Sequence, residues 1–149
     1  MQKRLFIAIE LPEELKKNLR KVQKRLKDLK AKWVKASHMH LTLAFLGEVE
    51  ELREPEISEI CQKIAIKYKS FEICLFDLSS FPKKEYAHTI WAKIKKSDQL
   101  LRLQKELSRE LGQNKFIIEK RPYVPHLTVA RLKKPINIIE HFKKNIFWK

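Results

Sequence analysis

Glycine is nearly absent from the chain: only Gly47 and Gly112 occur in 149 residues. A phosphate-binding loop built from backbone amides needs several glycines to let the chain approach the anion, so any phosphate here has to be bound by side chains. Cysteine is equally scarce. Cys61 and Cys74 are the only two; they lie too far apart for a CxxC motif and at apolar-patterned positions, which favours buried thiols over a disulfide or a zinc site. No stretch approaches the ~20 consecutive apolar residues of a membrane span, and the N-terminus has neither the apolar run nor the small-residue cleavage site of a signal peptide. The expectation is a cytoplasmic protein with no membrane attachment. Acidic residues are outnumbered, 18 against 33 Lys and Arg, for a formal charge of +15. That excess attracts polyanions and favours nucleic acid over a neutral small substrate, although a Lys- and Glu-rich surface can be basic without binding anything.

Threonine is the scarcity that carries information. Thr42, Thr89 and Thr128 are the only 3, against 5 His, so about 0.1 His-x-Thr pairs are expected at random. Two of the three threonines nevertheless complete one: His40-Leu41-Thr42-Leu43-Ala44 and His126-Leu127-Thr128-Val129-Ala130. Side chains alternate along a strand. His40, Thr42 and Ala44 are therefore expected on one face, with Leu41, Leu43 and Phe45 beneath, and the same split is expected of the second copy.

Two such histidines across a cleft suit phosphodiester cleavage without a metal. One neutral imidazole activates water and one imidazolium protonates the departing oxygen. Thr42 and Thr128 can donate hydrogen bonds to the nonbridging oxygens. A covalent phosphohistidine would need only one histidine and leaves the second copy without a reason. His38-Met39-His40 would put two imidazoles on one strand face, but no carboxylate or thiolate cluster completes a metal site, so no cofactor is expected.

Read in order, Arg4 to Glu10 is a strand, and Leu15, Leu19, Val22, Leu26 and Leu29 mark one helix whose other face carries Lys16, Lys17, Arg20, Lys21, Lys24 and Arg25. A solvated face accounts for that basic run as well as an RNA track does. Gly47 is expected to end the first motif strand. Ile57, Ile60, Cys61 and Ile64 form a second helix; Phe71 to Leu78 reads as a strand, Ser79 to Tyr86 as a loop, and His88 to Ile94 as a strand. Ser97-Asp98 caps a helix with Leu100, Leu103, Leu107 and Leu111 as its stripe and Gly112 as its left-handed end, and Phe116 to Ile118 reads as a short strand. Ile136 to Lys149 takes no assignment. The pattern of helix, loop and His-x-Thr strand, stated twice, predicts an α+β fold of two similar lobes, each an antiparallel sheet with flanking helices, around a central cleft.

These residues resemble the 2H phosphoesterases, in particular the branch of 2′-5′ RNA ligases and RNA 2′,3′-cyclic phosphodiesterases. The resemblance rests on both motifs, on Arg4-Leu5-Phe6-Ile7-Ala8-Ile9, Trp33-Val34, Phe45-Leu46-Gly47, Phe81-Pro82, Ile90-Trp91-Ala92 and Pro125 to Arg131. It implies a single two-lobed domain over 1–149 that hydrolyses an RNA terminal 2′,3′-cyclic phosphate to a 2′-phosphate with no cofactor and no obligate protein partner. It also implies His40 as proton donor and His126 as acceptor, an order the residues themselves leave open. Ligation is expected as a secondary reaction at most. Arg131 matches an arginine that ends the family's second motif, yet strict alternation points it away from His126 and Thr128, so a phosphate role needs a bulge there. The family usually continues past the region matching Ile136 to Phe147 into a further strand, so the second lobe is expected to be trimmed or the sequence incomplete. Two other classes fit parts of the pattern. A noncatalytic RNA-binding module would use the basic surface with Trp33, Phe45 and Trp91 as stacking platforms, and an esterase for small cyclic nucleotides would need less positive charge.

Overall fold

The computed structural model describes residues 1–144. Its elements are β1 (Gln2–Glu10), α1 (Glu13–Arg25), β2 (Ala31–Trp33), β3 (His40–Glu50), α2 (Glu54–Ala65) and β4 (Leu75–Lys83), followed by β5 (Tyr86–Ile94), α3 (Asp98–Gln113), β6 (His126–Ile136) and α4 (Ile139–Lys144). This is the expected α+β class. The sheets are unequal: β1 and β3 form a two-stranded sheet, and β2-β6-β5-β4 form a four-stranded antiparallel one.

The described residues divide into two compact units. The first comprises Met1–Ile9, Thr42–Ile73 and Lys96–Val124. Its core is the predicted pair of helix stripes, Ile57, Ile60 and Ile64 from α2 and Leu100, Leu107 and Leu111 from α3, with Leu43, Leu46 and Val49 of β3. Each such side chain contributes about 1.5–3 kcal/mol on full burial. The Ser97 hydroxyl caps α3 by accepting from the Leu100 amide at 3.2 Å. A two-stranded sheet leaves backbone groups of β3 without strand partners, and side chains take them up: the Tyr123 hydroxyl donates to the Thr42 carbonyl at 2.7 Å and Gln104 Nε2 to the Leu43 carbonyl at 3.1 Å.

The second unit comprises Glu10–Leu41, Cys74–Lys95 and Pro125–Lys149. One face of its sheet is apolar and buried, with Leu78, Ile90, Ala92, Ile94 and Leu127 joined by Leu19 and Val22 of α1 and by Leu26 just beyond its end. The other face is the polar one. The boundary between the units falls after Leu41, so His40 and His126 belong to the same unit and Thr42 to the other.

Several local expectations change under tertiary pairing. β3 runs on through Gly47, whose φ of +65° sits within the strand, and Leu46 is buried where Phe45, 66% exposed, was expected. The predicted loop from Ser79 is the second half of β4, because Ser79, Ser80 and Phe81 pair with Trp91, Ile90 and Thr89 of β5; residues 71–74 are not strand. Helix α1 ends at Arg25, before Leu29. Gly112 is helical, set against Ile118, and the left-handed residue beyond α3 is Lys115 with φ of 64°. Phe116 to Ile118 is irregular although Phe116 is buried. Cys61 is half-buried but Cys74 is exposed, and both are free thiols. In the unassigned ending, β6 extends to Ile136 and α4 follows, with residues 145–149 lying outside the described ones.

Candidate active site

The polar face of the four-stranded sheet can be read directly from its register, because residues opposite one another on antiparallel strands point to the same side. Three rows cross it. Asp77, Lys93 and His126 form the first; Ser79, Trp91 and Thr128 the second; Phe81, Thr89 and Arg131 the third, which Lys32 extends onto β2. His126 and Thr128 thus share a face as the second motif requires.

Arg131 joins them because β6 is bulged. Trp91 pairs with Thr128 while the preceding Ile90 pairs with Ala130, so β6 uses one more residue than β5 across this step. Val129 is the extra residue. Beyond it the alternation is reset: Ala130 goes to the buried side with Ile90, and Arg131 comes round to the side of Thr89. The expected open floor at Ala130 is therefore not there, and the bulge that a phosphate role for Arg131 demanded is. The Val129 carbonyl accepts from the Val34 amide, which continues the β2–β6 register, and from Gln23 Nε2, both at 3.0 Å. The same Gln23 nitrogen donates to the Val34 carbonyl at 2.8 Å.

His126 stands edge-on to two rings. Phe81 lies 5.4 Å away at 85° and Trp91 5.5 Å away at 72°, while Phe81 and Trp91 stack on each other at 4.7 Å and 16°. The aromatic walls restrict the imidazole's orientation through packing of favourable edge-to-face geometry. Trp91 is buried, and its Nε1 has no hydrogen-bond partner among the described residues.

His40 opens β3 and is half-buried. Burial, and then the positive charges of His38 and Lys16, lower its pKa below the ordinary imidazole value. Lys16 was expected on the solvated face of α1. It is instead buried, its Nζ 3.8 Å from the exposed Glu13 carboxylate, at the helix end where the backbone dipole disfavours a cation. His38 is exposed and closes a short helical turn, Ala36–His38, so it does not share a strand face with His40. Among the described residues no group of three or more His, Cys, Asp or Glu is arranged to hold a metal ion.

In the first unit Thr42 is half-buried and its carbonyl is held by Tyr123, whose own hydroxyl is pushed up to about 12 by burial. Phe45 meets Phe6 at 5.9 Å between ring centres, both exposed.

The sequence reading did not assign roles to Lys16, Gln23, Phe81 or Tyr123. A signal for the bulge was present in Leu127, Val129, Ala130 and Leu132, whose apolar spacing breaks the period of two between Thr128 and Arg131. Lys16 sits between Leu15 and Leu19, at the flank of the apolar stripe.

Comparison with known proteins places this arrangement in context. The model of the LigT-like phosphoesterases matches residues 9–91 and 93–145. An RNA 2′,3′-cyclic phosphodiesterase of Thermotoga maritima is 36% identical over 133 residues, covering 87% of this chain and 70% of the relative. One from Methanothermobacter thermautotrophicus is 34% identical over 139 residues, covering 92% and 75%. Among solved structures, a protein of Thermus thermophilus superposes with a TM-score of 0.83 at 29% identity, covering 89% of this chain and 76% of that one. E. coli LigT in complex with 3′-AMP superposes at 0.73 with 26% identity, covering 88% and 74%.

Proposed function

Because this chain belongs to the LigT-like phosphoesterase family, we propose that it is an RNA 2′,3′-cyclic phosphodiesterase that opens the terminal ring to a 2′-phosphate with His40 and His126 as its acid and base. The observation that carries this reading is the sheet face on which His126, Thr128 and Arg131 lie together, in the same unit as His40.

The chemistry follows from proton positions. His126, neutral, takes a proton from water, and the oxygen attacks the phosphorus. The bond from phosphorus to the 3′-oxygen breaks, and His40, charged, protonates that oxygen, leaving a 3′-hydroxyl and a 2′-phosphate. His126 ends charged and His40 neutral, and exchange with solvent restores both. Thr42 and Thr128 donate to the nonbridging oxygens, and Arg131 offsets the charge that builds on them. A water and two imidazoles held in line supply much of the rate through orientation. No Lewis acid is called for in this scheme. A 5′-hydroxyl entering in place of the water would leave a 2′–5′ linkage, which makes ligation a secondary outcome of the same geometry. The substrate is an RNA end, in keeping with the formal charge of +15.

The test is product analysis on a short RNA ending in a 2′,3′-cyclic phosphate. A product carrying a 2′-phosphate is expected. A 3′-phosphate, or an unchanged ring, would overturn the reading.

A further inference from the structure

Positive charge is not spread evenly over the chain. The unit that holds both histidines has 20 of the 33 Lys and Arg but only 7 of the 18 Asp and Glu, which gives it +13 of the formal +15. In the first unit several cations are neutralised in place: Lys3 by Glu51 and Glu54, Lys63 by Glu110, Lys67 by Glu106. A basic surface serving only solubility or heat resistance would carry paired charges in both units, so the segregation points to a polyanion held by the second.

The sheet register shows where part of that charge is collected. Arg131 and Lys32 lie side by side on the face of Thr89. The ladder continues past them, with the Lys133 amide donating to the Lys30 carbonyl at 3.3 Å, so Lys30 and Lys133 form the next row on the same face. All four cations are exposed, and none forms an ion pair among the described residues. Asp77 lies at the opposite end of the face, in the row of His126. The basic run of α1 is elsewhere: Leu19 and Val22 turn that helix onto the apolar side of the sheet, and the exposed Lys17, Lys21 and Lys24 point away from it.

We infer that the body of the RNA leaves the site in the 5′ direction along β6, with Lys32 meeting the first internucleotide phosphate and Lys30 with Lys133 the second. This rests on the cyclic phosphodiesterase reading above, in which the scissile phosphate is held by His126, Thr128 and Arg131. Two residues of strand advance about 6.6 Å, a step comparable to that between successive phosphates of an extended single strand, so the rows can take one phosphate each. Lysine binds phosphate as a point charge and reads no base, which makes this track indifferent to sequence. The preferred substrate is then a single-stranded end of three or more nucleotides, ahead of a cyclic mononucleotide.

The experiment measures kcat and KM for adenosine 2′,3′-cyclic phosphate and for the oligoadenylate dimer and trimer ending in the same ring, across a range of salt. For the wild type KM is expected to fall from monomer to dimer and again to trimer, with the salt slope steepening by about 0.7 for each added phosphate. The double variant Lys30→Gln/Lys133→Gln should return the trimer to the KM and salt slope of the dimer and leave the monomer unchanged. Lys17→Gln/Lys21→Gln, which removes the same charge from α1, should keep the trimer's advantage. Equal KM for the three substrates on the wild type overturns the track. So does an equal loss in the α1 variant, since net charge then suffices, or an equal loss on the monomer in the sheet variant. Should the wild type open none of the rings, the cyclic phosphodiesterase reading fails separately. Fluorescence anisotropy of a labelled adenylate trimer ending in a 2′-phosphate then decides the track: salt-dependent binding weakened in Lys30→Gln/Lys133→Gln alone retains it, and no binding by the wild type removes it.

Discussion

The side-chain amide of Gln23 on α1 donates to the carbonyl of Val129, 106 residues away, at 3.0 Å. Val129 is the residue β6 carries in excess of β5, and the reset it introduces turns Arg131 onto the face of His126 and Thr128. One helix side chain thus holds the irregularity on which the cation's direction depends.

Replacing it should register in both stability and activity. Gln23→Leu removes a partner from the Val129 and Val34 carbonyls and is expected to cost about 1–3 kcal/mol in urea unfolding. The kcat/KM on cyclic-phosphate RNA should fall further than the loss of folded protein explains, and should fall less in an Arg131→Gln background. Full additivity between the two substitutions would mean that the bulge and the cation are uncoupled.

His40→Ala and His126→Ala should each lower turnover by about 10²-fold or more while RNA binding is largely retained, as expected for a lost acid or base. Thr42→Val and Thr128→Val should be milder. Activity should survive excess chelator. The pH profile carries the sign of the His40 shift. Its folded-state pKa lies below the ordinary 6.5, so the proton that the acid must carry is lost from the free enzyme below that value, and the alkaline limb of kcat/KM is expected there. For stability, the depressed imidazole contributes fully above the unfolded value of 6.5 and loses its contribution as pH falls toward the folded one. A His40 resonance titrating above 6.5 in NMR contradicts both statements.

Lys32 and Arg131 are exposed neighbours across the β2–β6 pair, on the face of Thr89. If both touch the RNA backbone, Lys32→Gln and Arg131→Gln should each reduce the slope of log K against log salt by about 1. Under the proposed mechanism Arg131→Gln should also lower kcat, because its charge would serve the scissile phosphate, whereas Lys32→Gln should leave kcat unchanged. Unaltered salt slopes in both variants would remove this face from the RNA path.

Tyr123 reports on the first motif. Its raised pKa of about 12 means that the neutral phenol stabilises the fold below the unfolded value near 10, with the contribution lost as pH rises toward 12. Ultraviolet titration should show one tyrosine ionising near 12, and that step should vanish in Tyr123→Phe. The same substitution removes the donor to the Thr42 carbonyl, at about 0.5–1.5 kcal/mol, and should raise KM by loosening Thr42.

By itself the sequence determined what is encoded by residue identity and short-range period. The two His-x-Thr copies, the leucine and isoleucine stripes of α1, α2 and α3, the Ser97 cap and the basic charge all follow from spacing within one turn or one strand, and so does the expectation of phosphate chemistry on side chains. The tertiary structure decided what depends on pairing between distant segments. Local alternation is a rule for an uninterrupted ladder, so it placed His126 with Thr128 but put Ala130 and Arg131 on the wrong sides of a strand that bulges at Val129. Serine and proline at Ser79 to Pro82 signal a loop locally, yet hydrogen bonding to β5 makes the segment a strand and sets Phe81 on Trp91 beside His126. Lys16 carries a surface residue's chemistry and is buried by what packs over α1. Each of these outcomes is set by hydrogen bonds or burial between residues far apart in sequence, which no short window of the chain contains.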